Sequence, residues 1–330
     1  MDLSTSYLGL KLKNPFVVGA SPFCNNLSLC QQLSAAGASA IVMHSFFEEQ
    51  LEAELRESAH PFASVAEPGG DGSSEFPEYA DYHLNPEHYL RQLGRLTRLV
   101  DIPVIASLNG CQLGGWVAYA QRMEDAGAAA IELNLYQLPS DPAVPGDEIE
   151  ADMLQVVRTV ASSVQVPVAV KLSPFHSALS HFAARLSENG AAGITLFNRL
   201  HQSDIDLVKM EKVTHLRLSE PSDLLVRLRW LSIISPDFPG SLACSGGVHS
   251  AADAAKAVLV GAHVVQVVST LLKHGPGRLE ELISGFEAWM ESSGYQQIDQ
   301  LRGQMSHRRS SDAGSAERAD YLRVLQTWKV

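Results

Sequence analysis

The chain has 330 residues, of which 45% are hydrophobic, enough for one large α/β barrel or for two ordinary domains. Its formal net charge of −12, without a stripe of Lys and Arg, argues against nucleic acid as a partner. The four cysteines are scattered and form no Cys-x-x-Cys pair, which predicts free thiols rather than a zinc site or an iron–sulfur cluster.

The hydropathy of the chain predicts a cytoplasmic protein that makes no membrane contact. Residues 1–16 contain neither an apolar signal core nor an amphipathic anchor. The longest apolar stretch, 255–272, is interrupted by Lys256, His263 and Gln266, so it predicts a helix and a strand rather than a membrane span.

A repeated pattern divides the chain. Four segments each read as the end of a helix, a Gly-Ala pair and an apolar strand, and Gly is the usual residue just past a helix C-terminus. These segments are 35–45, 125–135, 188–198 and 259–269. Further apolar strands are predicted at 16–21, 102–110, 166–174 and 241–247.

Eight strands that alternate with helices over about 250 residues predict an α/β fold, the (β/α)8 TIM barrel. A doubly wound open sheet is the alternative, but no Gly-x-Gly-x-x-Gly follows the first strand. We expect the barrel in residues 1–304 and a C-terminal tail, partly flexible, in 305–330. Long inserted loops at about 46–99 and 201–223 are expected over the mouth of the barrel.

Polar residues stand at the C-terminal ends of the predicted strands, where barrels carry their active sites. The ends are Ala20-Ser21, His44-Ser45, Asn109, Asn134, Lys171, Asn198, Ser245-Gly246-Gly247 and Ser269-Thr270. Loops after the seventh and eighth strands commonly bind phosphate, because glycine N–H groups and helix N-termini face the anion there. Alternatively, Gly246 and Gly247 only permit a tight turn.

Lys171 is predicted to point into the barrel near the top of the fifth strand. In VPVAVKL it shares a face with Ala169, whereas the three valines suit the helix-facing side. Glu132 lies on the neighbouring fourth strand, so one interpretation is a buried ion pair that only organises the barrel. The other is a cation placed against an anionic ring or intermediate.

Asn134 and Asn198 end the fourth and sixth strands. An amide can donate and accept hydrogen bonds at once, which suits the edge of a heterocycle, although either residue could be a satisfied core amide. Together with Lys171 and a phosphate site, these amides predict a pocket for a phosphorylated heterocycle.

The sequence resembles the dihydroorotate dehydrogenases, specifically the soluble class 1 branch, over nearly the whole chain up to about residue 300. The likeness includes LGLKLKNPFVVGASP, AGAAAIELNL and VAVKLSP and is most specific in SGGVHSAADAAKAVLVGAHVVQVVSTLLKHGP. The resemblance implies an FMN-binding (β/α)8 barrel, commonly a homodimer, that oxidises or reduces a CH–CH bond in a small, pyrimidine-like substrate.

The resemblance also implies contacts to the flavin ring. Lys171 would lie near the N1/O2 edge and stabilise the anionic reduced flavin. Ala20 and Ser21 would approach the ring, Asn134 would contact it, and Asn198 falls where the family places a substrate or flavin amide.

For the rest of the cofactor, the resemblance implies four phosphate-binding residues: Gly246, Gly247, Ser269 and Thr270. Ser219, in LRLSEP, is a weaker candidate near the ribityl phosphate. His44 and Ser45, at the second strand end, complete the expected FMN-binding set.

The sequence departs from the family in the substrate half of the site. The family continues Glu-Leu-Asn-Leu with Ser-Cys-Pro-Asn, whose Cys is the catalytic base; Gln137 holds that position here and cannot accept a proton from carbon at neutral pH. His44 stands where the family has Lys, and the substrate loop Asn-x-x-Gly-x-x-Asn is not recognisable in 75–85. The flavin half is therefore kept and the dihydroorotate half largely rewritten.

Other bases are available. His44 titrates near neutral pH if unperturbed, and His176 is predicted on a mouth loop; Tyr136 and Cys111 are weaker candidates. Either histidine could instead be a packing residue.

The leading hypothesis is an FMN-dependent oxidoreductase with an altered substrate and an unknown electron acceptor. One alternative is a genuine dihydroorotate dehydrogenase that uses another base. Alternatives of other classes are a phosphate-binding lyase or isomerase with Lys171 as Schiff base, and a non-catalytic flavin subunit of a redox complex.

Overall fold

A computed structural model of the chain describes residues 1–47, 86–110, 116–137, 139–199, 202–215, 217–307 and 313–327. In chain order the strands are β1 (Thr5–Tyr7), β2 (Leu10–Leu12), β3 (Phe16–Val18), β4 (Ala40–Phe47), β5 (Val104–Gly110), β6 (Ala130–Leu135), β7 (Val168–Leu172), β8 (Gly193–Leu196), β9 (Gln202–Asp206), β10 (Glu211–His215), β11 (Ser241–Ser245) and β12 (Val264–Val267). Eight of them are parallel and form a closed barrel in the order β3-β4-β5-β6-β7-β8-β11-β12, and two antiparallel hairpins, β1-β2 and β9-β10, accompany it.

Helices follow the barrel strands and cover the outside of the barrel, except the last one, whose described side chains at 318–327 are all exposed. They are Leu27–Ala35, Pro86–Leu99, Trp116–Asp125, Gly146–Ser163, Leu179–Glu188, Leu224–Ile234, Ala251–Leu259, Ser269–His274, Arg278–Ser292, Ile298–Leu301 and Ala313–Thr327. The predicted (β/α)8 barrel is confirmed, and the open-sheet alternative is wrong. In the described part of the chain, no helix combines the length and apolar character that a membrane crossing requires.

Several sequence-based expectations fall outside the described residues. They concern Cys111, the substrate-loop stretch 75–85, most of the predicted loop 46–99, the start of the loop at 201 and parts of the tail. The tail does contain the helix Ala313–Thr327, on which Tyr321, Leu322 and Val324 are exposed.

The strands predicted at 16–21, 102–110, 166–174 and 241–247 are all shorter in the structure, and the early ends of the first and last shape the mouth. The strand predicted at 16–21 ends at Val18, shortly before Pro22 opens a 3-10 helix, and proline has no N–H to give to a ladder. The strand predicted at 241–247 ends at Ser245, because Gly246 and Gly247 adopt φ of +96° and +82° and leave the extended conformation.

The lower part of the barrel interior is filled by apolar side chains and closed by the N-terminal hairpin. Tyr7, Leu8 and Leu12 of this hairpin pack in one buried cluster with inward residues such as Ala130 and Ala169. The Tyr7 hydroxyl lies 3.4 Å from Thr195 Oγ1 on β8. The hairpin therefore plugs the end of the barrel opposite the mouth, and polar groups above it are shielded from water on that side.

Replacing Tyr7 with Ala should lower the free energy of unfolding by about 3–5 kcal/mol, because a fully buried ring is lost from the barrel interior. Tyr7→Phe keeps the ring and loses only the long hydroxyl contact, so it should cost about 1 kcal/mol. Urea denaturation followed by circular dichroism measures both. Equal losses in the two variants would contradict the proposed closure by the Tyr7 ring.

Candidate functional site

The C-terminal ends of the barrel strands bring a set of polar side chains into one layer. Lys171 on β7 is in register with Asn134 on β6 and with Thr195 on β8. Asn134 is in turn in register with Asn109 on β5. All four are nine-tenths or more buried, so each must find partners in the protein or in a ligand.

Lys171 lies in the barrel interior. Its Nζ atom is 3.3 Å from Glu132 Oε1 and 3.4 Å from Gln266 Oε1. Because β8 and β11 separate β7 from β12, the contact with Gln266 must cross the interior of the barrel. The ion pair with Glu132 that the sequence suggested is therefore present.

Glu132 is almost fully buried and has a partner for each carboxylate oxygen. Oε2 accepts hydrogen bonds from Thr195 Oγ1 at 3.0 Å and from Gln266 Nε2 at 2.6 Å, and Oε1 accepts from Lys171. Thr195 gives its proton to Glu132, so the Tyr7 hydroxyl is the donor in the Tyr7–Thr195 contact. Burial, followed by the Glu132 charge, raises the pKa of Tyr7, which keeps this hydroxyl protonated.

Sequence reasoning missed Gln266 and Thr195 as members of this network. The signal was one polar residue inside each of two short apolar strands, VVQV and GITL. An inward polar residue on a barrel strand needs a partner across the interior, but the partner's identity depends on the closed geometry.

Asn134 and Asn198 contact one another. Asn198 Nδ2 donates a hydrogen bond to Asn134 Oδ1, so the NH2 end of one amide faces the carbonyl end of the other. Asn134 Nδ2 and Asn198 Oδ1 are left to face other groups at the mouth.

Ser219 links the loops after β11 and β12. Its N–H and its hydroxyl both donate to Ser269 Oγ at 2.9 Å, and its Oγ accepts from Gly247 N at 3.1 Å. The N–H group of Gly247 is thereby used within the protein. The fully buried hydroxyl of Thr270, next in the chain after Ser269, has no hydrogen-bond partner among the described residues.

Backbone conformation and close packing together account for both glycines of this loop. Beyond the positive φ angles, a Cβ at Gly247 would lie 2.4 Å from Leu224 N, and one at Gly246 would lie 2.9 Å from the Arg227 guanidinium. Arg227 donates to Ser245 O at 2.7 Å and so holds the end of β11. A bulky replacement of either glycine would disturb the loop itself, so it could not report on phosphate binding alone.

Ser21 lies at the other side of the mouth, after β3. It is 5% exposed, yet its Oγ has no hydrogen-bond partner among the described residues, and it does not cap the short helix that follows. Ala20, beside it, is partly buried. A buried hydroxyl without a partner is costly, which suits a position that a ligand completes.

The position and pKa of His44 differ from those expected of a base at the mouth. A register shift between Val42 and Ser45 turns Ser45 toward Ser107, 2.8 Å from hydroxyl to hydroxyl, and sets His44 edge-on against Tyr89 of an outer helix, 5.2 Å between centroids. Burial and, second, the charge of His88 lower the pKa of His44 to about 4. His44 is thus strongly perturbed and does not titrate near neutral pH, and both of its ring nitrogens are buried.

The structure does not group His176 with this layer of polar residues. Its ring stacks on Phe182 at 4.6 Å, and its Nδ1 lies 3.4 Å from Glu150 Oε1, both on outer helices. Burial lowers its pKa, against the effect of Glu150. Gln137 follows β6, as the sequence predicts, and is partly buried.

This set of groups fits FMN. Lys171 offers a cation in the interior, Asn134 and Asn198 offer amides, and Ser21 and Thr270 offer hydroxyls that lack partners in the described structure. No group of three or more His, Cys, Asp or Glu in the described ranges is arranged to hold a metal ion.

Comparisons with known proteins agree with the resemblance. The family model described as dihydroorotate dehydrogenase matches residues 73–290. A protein of Aeropyrum pernix, named provisionally as a fumarate-type dihydroorotate dehydrogenase A, is 30% identical over 221 residues, 64% of this chain and 71% of its own length.

Two further relatives match over most of this chain. The catalytic subunit of dihydroorotate dehydrogenase B (NAD(+)) from Thermoplasma volcanium is 26% identical, covering 92% of this chain and 98% of the relative. The NAD-dependent dihydropyrimidine dehydrogenase subunit PreA of Escherichia coli K12 is 25% identical, covering 92% of this chain and 76% of the relative.

His44 should make the folded state sensitive to acid. The unfolded chain protonates this residue below its ordinary pKa of 6.5, whereas the folded state resists protonation down to about 4. The free energy of unfolding should therefore keep its full value above pH 6.5 and fall by up to about 3 kcal/mol as the pH drops toward 4. His44→Gln should reduce this dependence in urea denaturation between pH 7 and pH 4.5. The control is the exposed His181→Gln; an unchanged slope in His44→Gln would contradict the assignment.

Proposed function

The chain belongs to the dihydroorotate dehydrogenase family, and we propose that it binds FMN at the barrel mouth and uses it to oxidise or reduce a CH–CH bond. The relatives are named as dihydroorotate and dihydropyrimidine dehydrogenases, so the chain is an oxidoreductase of this class. Its substrate is a small, pyrimidine-like molecule.

The observation that carries the proposal is the position of Lys171. Its ammonium group is held inside the barrel by Glu132 and Gln266, directly below the mouth. A preorganised cation in a site with little water stabilises negative charge that appears during a reaction. FMN, when bound, supplies hydride transfer, and the reduced flavin carries negative charge at N1 and O2.

The other residues of the mouth would hold the cofactor. The Ser21 hydroxyl would lie near the ring. Asn134 Nδ2 and Asn198 Oδ1, for which the described residues supply no hydrogen bond, would face ring or substrate edges. The Thr270 hydroxyl would donate to the phosphate, with Gly246, Gly247 and Ser269 shaping that loop. Ser219 would act through the loop, because its own groups are bonded to Ser269 and Gly247.

The substrate is expected to differ from dihydroorotate. Gln137, at the family's base position, has an amide that cannot take a proton from carbon. His44 has its nitrogens buried beside an outer helix, and His176 contacts Glu150 and Phe182. These positions offer poor support for a genuine dihydroorotate dehydrogenase with a substitute base.

The two proposals of other classes receive less support. A Schiff-base lysine must present a free amine to a carbonyl, whereas Lys171 contacts two oxygen acceptors. A non-catalytic flavin subunit receives less support because the relatives are named as dehydrogenases, one of them as a catalytic subunit.

We also propose that the chain forms a homodimer. It passes electrons to an acceptor that its sequence does not identify. The β9-β10 hairpin supports the dimer, because Ile205, Leu207, Val208 and Met210 are between 63% and 93% exposed. Such an apolar surface on the mouth side suits a second copy of the chain.

Thr270→Val tests FMN binding because it should preserve or raise the stability of the FMN-free protein and lower its affinity for FMN. The change keeps the shape and removes a buried hydroxyl that lacks a partner, so the protein without FMN should be as stable or more stable. Loss of a hydrogen bond to phosphate should weaken FMN binding about 10–100-fold. Fluorescence titration of the purified apoprotein with FMN measures the affinity, and Thr159→Val on an outer helix is the control.

An unchanged FMN affinity in Thr270→Val would contradict the phosphate assignment. A wild-type protein that folds but takes up no FMN would contradict the proposed function as a whole.

Wild-type protein should oxidise dihydroorotate slowly or not at all. Loss of a general base costs about 10²–10⁴-fold, so turnover should lie far below the usual range of about 1–10³ per second. Orotate formation with an artificial electron acceptor measures it. Turnover within the usual range would contradict the proposed change of substrate, and His44→Gln and His176→Gln would then identify the base.

A further inference from the structure

We propose that Gln266 is a positioning residue for Lys171, whose ammonium group it shares with Glu132 so that the carboxylate does not neutralise the cation. The inference deepens the proposed function and rests on FMN binding beside Lys171. It concerns a residue on β12, across the interior of the barrel from Lys171 on β7.

The Gln266 amide bridges the two charged groups. Its Nε2 donates to Glu132 Oε2 at 2.6 Å, and its Oε1 lies 3.4 Å from Lys171 Nζ as an acceptor. The reverse orientation would place the amide N–H groups against the ammonium group and the carbonyl against the carboxylate. The two charges therefore fix the orientation of the amide.

The surroundings are built for this side chain. Gln266 is 1% exposed, so water cannot readily replace its hydrogen bonds. A Cβ on Gly19, which follows β3, would lie 3.2 Å from Gln266 Cβ and 2.8 Å from Val268 Cγ2. Glycine at this position keeps open the space through which Gln266 reaches the network.

The consequence is a loosened ion pair. Glu132 shares its charge among Lys171, Thr195 and Gln266, and the shortest of the three contacts is with Gln266. Without Gln266, one carboxylate oxygen would lose its nearest donor and Lys171 would lose its second acceptor. The carboxylate would then attract the ammonium group more strongly and draw it closer, away from its present position between the two acceptors.

The reduction equilibrium of bound FMN reports on this effect. Gln266→Met keeps much of the volume and removes both contacts, so reduced flavin should lose stabilisation. We expect the equilibrium constant for reduction, measured against a redox dye with FMN saturating, to fall about tenfold. Gln92→Met is the matched control, because Gln92 is also buried but bonds to Cys24 O away from Lys171.

A double-mutant cycle separates positioning from a direct or general structural effect. In Lys171→Met, which should itself lower the equilibrium constant, adding Gln266→Met should change nothing further. If Gln266→Met lowered the equilibrium constant equally in wild-type and Lys171→Met protein, the inference would be overturned. The same holds if Gln266→Met alone left the constant unchanged.

A second variant covers the case in which Gln266→Met does not fold. Gln266→Asn keeps an amide but shortens the side chain by one methylene, so it cannot span from β12 to both Glu132 and Lys171, and the equilibrium constant should again fall. An unchanged or larger constant would overturn the inference. If wild-type protein takes up no FMN, the proposed function fails first, whereas bound FMN with an unchanged equilibrium in both variants contradicts only the role of Gln266.

Discussion

The ion pair between Lys171 and Glu132 is the constraint on which the interior of this barrel depends. Burying two charges costs several kcal/mol for each ion, and their attraction offsets this cost only if the remaining donors and acceptors are satisfied. Gln266 and Thr195 supply those hydrogen bonds, and the Tyr7 hydroxyl supports Thr195 from the N-terminal hairpin. The hairpin that closes the bottom of the barrel is thus coupled to the cation at its top.

Above this network, the mouth contains groups that the described protein does not satisfy. The hydroxyls of Ser21 and Thr270 are buried without hydrogen-bond partners among the described residues. The contact between Asn134 and Asn198 uses only the Oδ1 atom of the first and the Nδ2 atom of the second. Unpaired buried groups destabilise the free protein. A cofactor with a polar ring and a phosphate would satisfy both ends of the mouth at once, while the Gln137 position would still lack a proton acceptor.

Periodicity and glycine placement carried the fold prediction, because a helix end followed by Gly-Ala and an apolar strand recurs in AAGASAIV, DAGAAAIE and ENGAAGIT. Alternation in VAVKL likewise predicted an inward Lys171. The environment of His44 could not be predicted, because a register shift in β4 changes which side chains face inward. Gln266 was missed because its partners lie on β6 and β7, which only barrel closure brings within reach.

A crystal structure of the protein reconstituted with FMN tests the role of Lys171 most directly. We expect Lys171 Nζ within about 3.5 Å of flavin N1 or O2, with Gln266 still bridging to Glu132 and the phosphate against Thr270. A flavin bound elsewhere, or one bound at the mouth with Lys171 turned away from its ring, would contradict this role.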